Sequence, residues 1–122
     1  MKVGSEIPER ETLREFERIQ KKREFEEIFK TGKILKGSLV SLVYKIRDER
    51  RVGFTLAKGI RGAVLRNRLK RLMREIYRKK KGELKEDVEM ILIAKENAVG
   101  KGIHEIQKDL EDLFHRAGIL KR

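Results

Sequence analysis

The amino-acid sequence predicts an α+β fold, in which one mostly antiparallel sheet and several helices form a single domain. The chain has 122 residues, of which 39% are hydrophobic, so it can bury one modest core. Apolar residues recur every three or four positions in some segments, and alternate or form short runs in others. These segments follow one another in the order helix, strand, strand, helix, strand, helix, which is typical of the α+β class.

The N-terminal part of the chain is expected to contain a tail followed by a short helix. Residues 1–11 hold the only proline and show no periodic apolar pattern, which predicts a flexible tail, so that the domain covers residues 12–120. Thr12 and Glu15 have the spacing of a capping box, which favours a helix that ends near Gln20.

A second helical segment follows, and the two segments could form one bent helix. Phe25, Ile28 and Phe29 have the i, i+3, i+4 spacing that places three apolar side chains on one helix face. Gly32 is positioned to end this helix, because glycine is common just beyond a helix C-terminus.

Two strands are predicted next. Residues 39–46 are rich in β-branched and aliphatic side chains, and residues 52–57 alternate large apolar residues with small or polar ones. The polar segment 47–50 between them indicates a turn. The two strands are therefore expected to pair as an antiparallel hairpin.

The second half of the chain predicts a helix, a strand and a final helix. The helix over residues 63–80 has an apolar stripe formed by Leu65, Leu69, Leu72, Met73 and Ile76. Residues 88–94 form a nearly continuous apolar run, which is typical of a central strand. The final helix is expected to end at Gly118 and to turn inward the side chains of Ile103, Ile106, Leu110, Leu113 and Phe114.

The positive charge is concentrated in one segment. Residues 58–81 contain eleven Lys or Arg residues and a single acid, Glu75, although the whole chain carries a net charge of only +12. Opposite its apolar stripe, the helix over 63–80 presents a basic face made of Arg66, Asn67, Lys70, Arg71, Arg74 and Arg78, with Arg68 on its flank. A basic field of this kind attracts polyanions and releases counterions from a phosphate backbone, so it predicts nucleic-acid binding.

Two other interpretations of the basic helix remain open. The face could simply be solvated, although a structural surface would usually offset its cations with interspersed Glu, a residue that is abundant elsewhere in this chain. A basic amphipathic helix can also bind an anionic membrane or an acidic protein, and either partner would need the apolar stripe to be exposed.

The composition argues against several classes of protein. There is no Cys for a disulfide or a thiolate site, and His104 and His115 lack metal-ligand spacing. No clustered carboxylates are visible, so we expect neither catalytic residues nor a metal site in this chain. No apolar run approaches the ~20 residues of a membrane span, and the N-terminus lacks the apolar core of a signal peptide, so a cytoplasmic protein is expected.

The basic helix and its neighbours resemble the signature of a known family, the protein subunit of bacterial ribonuclease P. The matching residues are Arg51-Val52-Gly53-Phe54, Lys58 and residues 63–75, which read Ala-Val-Leu-Arg-Asn-Arg-Leu-Lys-Arg-Leu-Met-Arg-Glu. The family's N-terminal helix is resembled by Arg23-Glu24-Phe25, Ile28-Phe29 and Gly32. The end of its last strand is resembled by Ile93-Ala94-Lys95. The resemblance extends over residues 21–120.

The resemblance implies both a fold detail and a function. It implies a small α+β domain with a four-stranded sheet and a left-handed βαβ crossover around the basic helix, where general rules predict a right-handed one. It also implies an RNA-binding subunit that assists a catalytic RNA in endonucleolytic removal of the 5′ leader from precursor tRNA. The RNA would perform the chemistry, with Mg²⁺ held mainly by the RNA subunit and the substrate, and the protein would lower the Mg²⁺ requirement. No small-molecule substrate and no membrane partner are implied.

The resemblance assigns roles to ten residues. The RNA subunit would be contacted by Arg66, Asn67, Arg68, Lys70, Arg71 and Arg74, and the precursor-tRNA leader by Phe25, Phe29, Lys58 and Lys95.

The residues alone leave alternatives open. Phe at i and i+4 on an apolar face usually belongs to the core, and Asn67 could bond RNA or cap a loop of the protein. A structural RNA-binding protein, such as a ribosomal protein or an assembly factor without a cleavage role, is the competing interpretation.

Overall fold

The computed structural model describes residues 18–19 and 21–121, and these form the predicted mixture of helices and strands around one sheet. Short 3₁₀ turns at Lys81–Glu83 and Glu96–Ala98 flank the last strand. In chain order the longer elements are α1 (Lys22–Thr31), β1 (Lys33–Lys36), β2 (Val40–Ile46), β3 (Arg51–Leu56), α2 (Ala63–Lys80), β4 (Val88–Ala94) and α3 (Ile103–Ala117).

The four strands lie in the order β1-β2-β4-β3. β2 is antiparallel to both β1 and β4, whereas β3 and β4 are parallel neighbours joined through α2. The sheet is thus mostly antiparallel, as predicted, and the hand of the β3-α2-β4 connection stays a prediction. The residue pattern did not locate the short strand β1, which completes the four strands that the resemblance implies.

The predicted hairpin between residues 39–46 and 52–57 is wrong, because β4 lies between these two strands. β4 is buried along nearly its whole length, which favours the central position for it. The connection 47–50 is long enough for a direct hairpin and also for an arrangement in which β4 lies between the two strands. Strands separated by one other strand are about 10 Å apart, and four extended residues can span about 13 Å.

The segment before α1 also differs from the prediction. Arg18 forms a parallel bridge with Val52, and the amide of Ile19 donates to the carbonyl of Val52 at 2.8 Å. The predicted helix is therefore wrong at these two residues, which extend the free edge of β3. Residues 1–17 and Gln20 lie outside the described residues, so the tail over 1–11 and the capping box remain predictions.

The main core lies between the sheet and two helices. α2 buries Leu69, Met73, Ile76 and Tyr77, and α3 buries Ile106, Leu110, Leu113 and Phe114. The predicted stripe of α2 is thus covered, with Leu65 and Leu72 packed against the same core. Since an anionic membrane or an acidic protein would need this stripe exposed, the structure argues against both partners. No helix in the described part of the chain has the length and apolar content needed to cross a membrane.

The opposite face of the sheet is covered by α1. Ile28 packs against Val43 and Ile91, and all three side chains are buried. The helix ends at Gly32, as predicted, but for a different reason. The backbone of Gly32 is extended rather than left-handed, and a Cβ on this residue would lie 2.8 Å from the carbonyl oxygens of Ile28 and Tyr44. Glycine is therefore required by the close approach of the chain to β2.

Candidate nucleic-acid interface

The C-terminal part of α2 pairs its charges within the protein. Arg78 Nη2 lies 2.7 Å from Glu75 Oε2, and Lys79 Nζ lies 3.8 Å from the same oxygen. Lys80 Nζ lies 2.7 Å from Glu111 Oε2 of α3. The hydrogen bond from Arg78 lowers the pKa of Glu75, and the hydrogen bond to Glu111 raises the pKa of Lys80. These cations are offset by acids of the chain itself.

The N-terminal part of α2 has no such compensation. Within residues 18–19 and 21–121, no acid pairs with Arg68, Lys70, Arg71 or Arg74, and the first turn of the helix holds no acid either. Arg71 is exposed and the other three are half-buried. Uncompensated cations along one helix repel one another, so this half of the basic face is the part suited to a polyanion.

Arg66 has a structural contact that the sequence did not indicate. Its Nη1 donates to the carbonyl oxygen of Ile60 at 2.7 Å, which ties α2 to the loop after β3. Asn67 is exposed, and its side chain makes no hydrogen bond among the described residues. The loop contact considered for Asn67 is therefore made by Arg66, and the amide remains available to a partner.

Replacing Arg66 with Ala should lower the free energy of unfolding by about 1 kcal/mol, because the carbonyl of Ile60 loses its partner. Arg71→Ala is the matched control, since Arg71 is exposed on the same helix and should leave stability unchanged. Urea unfolding of both variants measures the difference. Equal stability of Arg66→Ala and the unchanged protein would show that this contact contributes nothing to the fold.

On the other face of the sheet, α1 has one flank turned toward a charged row. Arg51 Nη1 donates to Glu24 at 2.9 Å, and Lys45 Nζ donates to Thr31 Oγ1 at 2.9 Å. Lys45 and Arg51 both pair in register with Glu89, so they mark the two ends of one row across the sheet. The hydrogen bond from Arg51 lowers the pKa of Glu24. These contacts fix how α1 lies on the sheet.

The opposite flank of α1 carries the two phenylalanines and lies beside a part of the sheet that the helix covers only partly. Beyond the charged row, the next row of the sheet contains Val43 and Ile91, which α1 buries. The row after that contains Ser41, Ile93 and Thr55, which are paired in register. Ile93 and Thr55 are half-buried, so α1 does not close this part of the sheet completely. We call the surface formed by Phe25, Phe29, Ser41, Thr55 and Ile93 the sheet groove.

The two phenylalanines differ in environment. Phe25 is half-buried against Ile19 and Ile28, and a Cβ on Gly53 would lie 2.8 Å from two of its ring atoms. Its ring thus rests on bare backbone of β3 and belongs in part to the core. Phe29 is 39% exposed and is the phenylalanine available to a partner.

Lys58 and Lys95 follow the C-terminal ends of the parallel neighbours β3 and β4, so both lie at one end of the sheet. Lys58 is exposed, whereas Lys95 Nζ donates to the carbonyl oxygen of Gly37 at 2.9 Å. Lys95 is two residues beyond Ile93 and therefore shares its face of the sheet. The structure brings at least Lys95 to the end of the sheet groove.

Asp109 of α3 holds the turn that Lys95 contacts. Its carboxylate accepts hydrogen bonds from the backbone amides of Ser38, Leu39 and Val40, at 3.2, 2.9 and 3.0 Å. A carboxylate that satisfies three amides of one turn fixes the turn strongly. The position of Lys95 thus depends on α3, a link that no local pattern indicates.

Several residues of these surfaces were not predicted from the sequence. Ser41 and Thr55 could have been predicted, because the alternation of side chains along a strand places them on the face of the sheet opposite to Leu42 and Phe54. Arg18, which bridges to Val52 at the edge of the sheet, gave no usable signal, since its segment was predicted to be helical. Among the described residues, no group of three or more His, Cys, Asp or Glu could hold a metal ion.

Comparison with known proteins identifies the family. The family model described as Ribonuclease P matches residues 13–118. The ribonuclease P protein component of Dictyoglomus turgidum is 38% identical over 110 residues, which cover 87% of this chain and 92% of the relative. That of Clostridium acetobutylicum is 34% identical over 107 residues, covering 84% and 90%.

Solved structures agree with this match. The RNase P protein of Staphylococcus aureus has a TM-score of 0.78 at 28% identity, covering 86% of this chain and 98% of the other. The RNase P protein of Thermotoga maritima has a TM-score of 0.74 at 27% identity, covering 82% and 96%. The chain belongs to the ribonuclease P protein family, the protein subunits of an endoribonuclease that also contains an RNA subunit.

Proposed function

We propose that this chain docks on the catalytic RNA of ribonuclease P through residues 66–74 of α2 and binds the 5′ leader of precursor tRNA in the sheet groove. The observation that carries the proposal is the placement of two different surfaces on opposite faces of one sheet. α2 covers one face with unpaired cations outward, and the groove beside α1 opens on the other. Both RNAs could therefore be bound at once.

The chemistry of each surface suits its proposed partner. Arg66, Asn67, Arg68, Lys70, Arg71 and Arg74 would contact the RNA subunit, whose helices are recognised largely through backbone and shape. Arginine supports this role because its planar fork can pair two phosphate oxygens.

The sheet groove suits a single strand. An unpaired base can stack on the exposed ring of Phe29, and Phe25 would support that ring from the core side. Lys58 and Lys95 would hold leader phosphates at the end of the groove, where Lys95 is already positioned by Gly37. The two lysines and two rings would thus bind the leader without reading its sequence closely.

Mg²⁺ would be held by the RNA subunit and the substrate. The described residues of this chain do not offer a fitting carboxylate or imidazole cluster for it. The protein's contribution would be its own cations, which reduce repulsion between two polyanions and so lower the Mg²⁺ concentration that cleavage requires.

Reconstitution tests this function. The purified chain is added to a heterologous bacterial ribonuclease P RNA, and single-turnover cleavage of precursor tRNA is measured at low Mg²⁺. We expect stimulation by the chain and no cleavage by the chain without RNA. A structural RNA-binding protein would bind RNA without stimulating cleavage, so binding without stimulation would favour that second candidate.

Mutating both Lys58 and Lys95 to Ala should raise the Mg²⁺ concentration for half-maximal cleavage several-fold, while the maximal rate stays within about twofold. The reason is that added Mg²⁺ can replace the lost positive charge. A Mg²⁺ titration of single-turnover cleavage measures both quantities, with Lys85→Ala/Lys121→Ala, two exposed lysines beyond the other end of β4, as a control of equal charge. A maximal rate depressed about a hundredfold at every Mg²⁺ concentration would place the lysines in the chemical step instead.

A further inference from the structure

Arg18 lies on the free edge of β3, on the same side of the sheet as α2. Directly paired residues of neighbouring strands point to the same face, so Arg18 shares the face of Val52, which belongs to the core under α2. Ile19 packs in the other cluster, on the α1 face, as strand alternation requires. Arg18 therefore faces α2 and not the sheet groove.

The backbone of Arg18 is held from two sides. The amide of Ile19 donates to the carbonyl of Val52 at 2.8 Å, and Arg51 Nη2 donates to the carbonyl of Arg18 at 3.2 Å. A substitution of the Arg18 side chain leaves both bonds available, since they use the peptide group between Arg18 and Ile19.

Arg74 approaches the same place from α2. Its Cζ lies 5.6 Å from the ring centroid of Phe54, which is two residues beyond Val52 and on the same face. The ring of Phe54 is fixed in turn by an edge-to-face contact with Tyr77, with centroids 6.1 Å apart. Arg74 is thus held in place by a cation–π contact before any ligand arrives.

The two arginines lie beside neighbouring core residues on one face of the sheet, and the described residues leave them without compensation. Burial lowers the pKa of Arg74, and the charge of Arg18 lowers it further. Arg74 Nε is buried without a hydrogen-bond partner. Among the described residues neither arginine meets a carboxylate, in contrast to Arg51, which donates to both oxygens of Glu24.

We propose that Arg18 and Arg74 form a two-arginine site for a phosphate group of the catalytic RNA. The site extends the docking surface of α2 onto the edge of the sheet, and it rests on the proposed function. Arg66, Lys70 and Arg74 are spaced four residues apart, so they form one row along α2 that leads to Arg18. A phosphate between two arginines would neutralise their repulsion and accept paired hydrogen bonds from each fork. The catalytic RNA is the partner because both side chains lie on the α2 face.

The test is a double-mutant cycle on Arg18 and Arg74, read by affinity for the catalytic RNA and by the melting temperature of the free protein. Arg18→Ala should weaken RNA binding about fivefold to tenfold. It should also reduce the slope of log Kd against log salt by the amount that corresponds to about one phosphate contact. The melting temperature should be unchanged or higher, because one of two like charges is removed. In the Arg74→Ala background, Arg18→Ala should change affinity less than twofold.

Two further variants sharpen the cycle. Arg18→Lys keeps the charge and should recover part of the affinity. Lys108→Ala removes one exposed charge from α3, away from α2's basic face, and should change neither affinity nor salt slope.

Four results would overturn the site. The first two are unchanged RNA affinity of Arg18→Ala and additive effects of Arg18→Ala and Arg74→Ala. The third is a loss confined to leader-bearing substrate, which would assign the phosphate to the leader. The fourth is a lower melting temperature of Arg18→Ala with a matching loss of affinity, which would show that Arg18 stabilises the fold instead. The proposed function fails separately, if the unaltered chain does not stimulate the catalytic RNA.

Discussion

Replacing both Arg68 and Arg71 with Ala is expected to weaken binding of the catalytic RNA by roughly a hundredfold. Neither side chain pairs with an acid within the described residues, so their charge is available to phosphate. A hydrogen bond to a charged group contributes about 1.5 kcal/mol or more. Two such contacts amount to about 3 kcal/mol, and each 1.4 kcal/mol is about tenfold in affinity.

The salt dependence separates phosphate contacts from indirect effects. Removing two phosphate contacts should reduce the slope of log affinity against log salt by about 1.4 to 1.8. The control variant Lys101→Ala/Lys108→Ala removes the same formal charge from exposed positions away from α2. Binding titrations at several salt concentrations decide the matter, and unchanged affinity with an unchanged slope would refute docking through α2.

Replacing Phe29 with Ala is expected to reduce holoenzyme affinity for precursor tRNA by roughly tenfold or more, because base stacking contributes ~1–3 kcal/mol. Affinity for mature tRNA, which lacks the leader, should hold. Phe29 is 39% exposed, so its loss should disturb the core little. Equilibrium binding of both substrates to the reconstituted holoenzyme measures the difference.

Two other substitutions make the result specific. Ile46→Ala removes an exposed apolar side chain at the end of β2, and should affect neither substrate. Phe25→Leu should instead lower the melting temperature, because the Phe25 ring rests on Gly53 and packs with Ile19 and Ile28. If Phe29→Ala weakened both substrates equally, or lowered the melting temperature strongly, Phe29 would belong to the core rather than to a leader site.

The basic helix shows how much local patterns can predict. Its bounds, its buried stripe and its opposite charged face all follow from spacing along one element, and the structure confirms them for α2. The pairing of its charges does not follow from spacing. Lys80 pairs with Glu111 of α3, and Arg66 donates to the carbonyl of Ile60, and neither contact can be read from the spacing along α2.

The sheet shows where local patterns are insufficient. Residues 39–46 and 52–57 were correctly predicted as strands, because alternation of side chains is local. Their pairing depends on β4, which is more than thirty residues further along the chain. A four-residue connection fits either arrangement, and burial of the most apolar strand at the centre decided between them.

The sequence by itself determined the α+β class, the positions of the main helices and strands, and a strongly basic segment, because periodicity and charge are properties of neighbouring residues. Only the tertiary structure decided the strand order, the different environments of Phe25 and Phe29, and the placement of Arg18 and Arg74 on one face of the sheet. Each of these depends on which distant segment covers a given side chain. That contact is formed when the chain packs, and no local spacing encodes it.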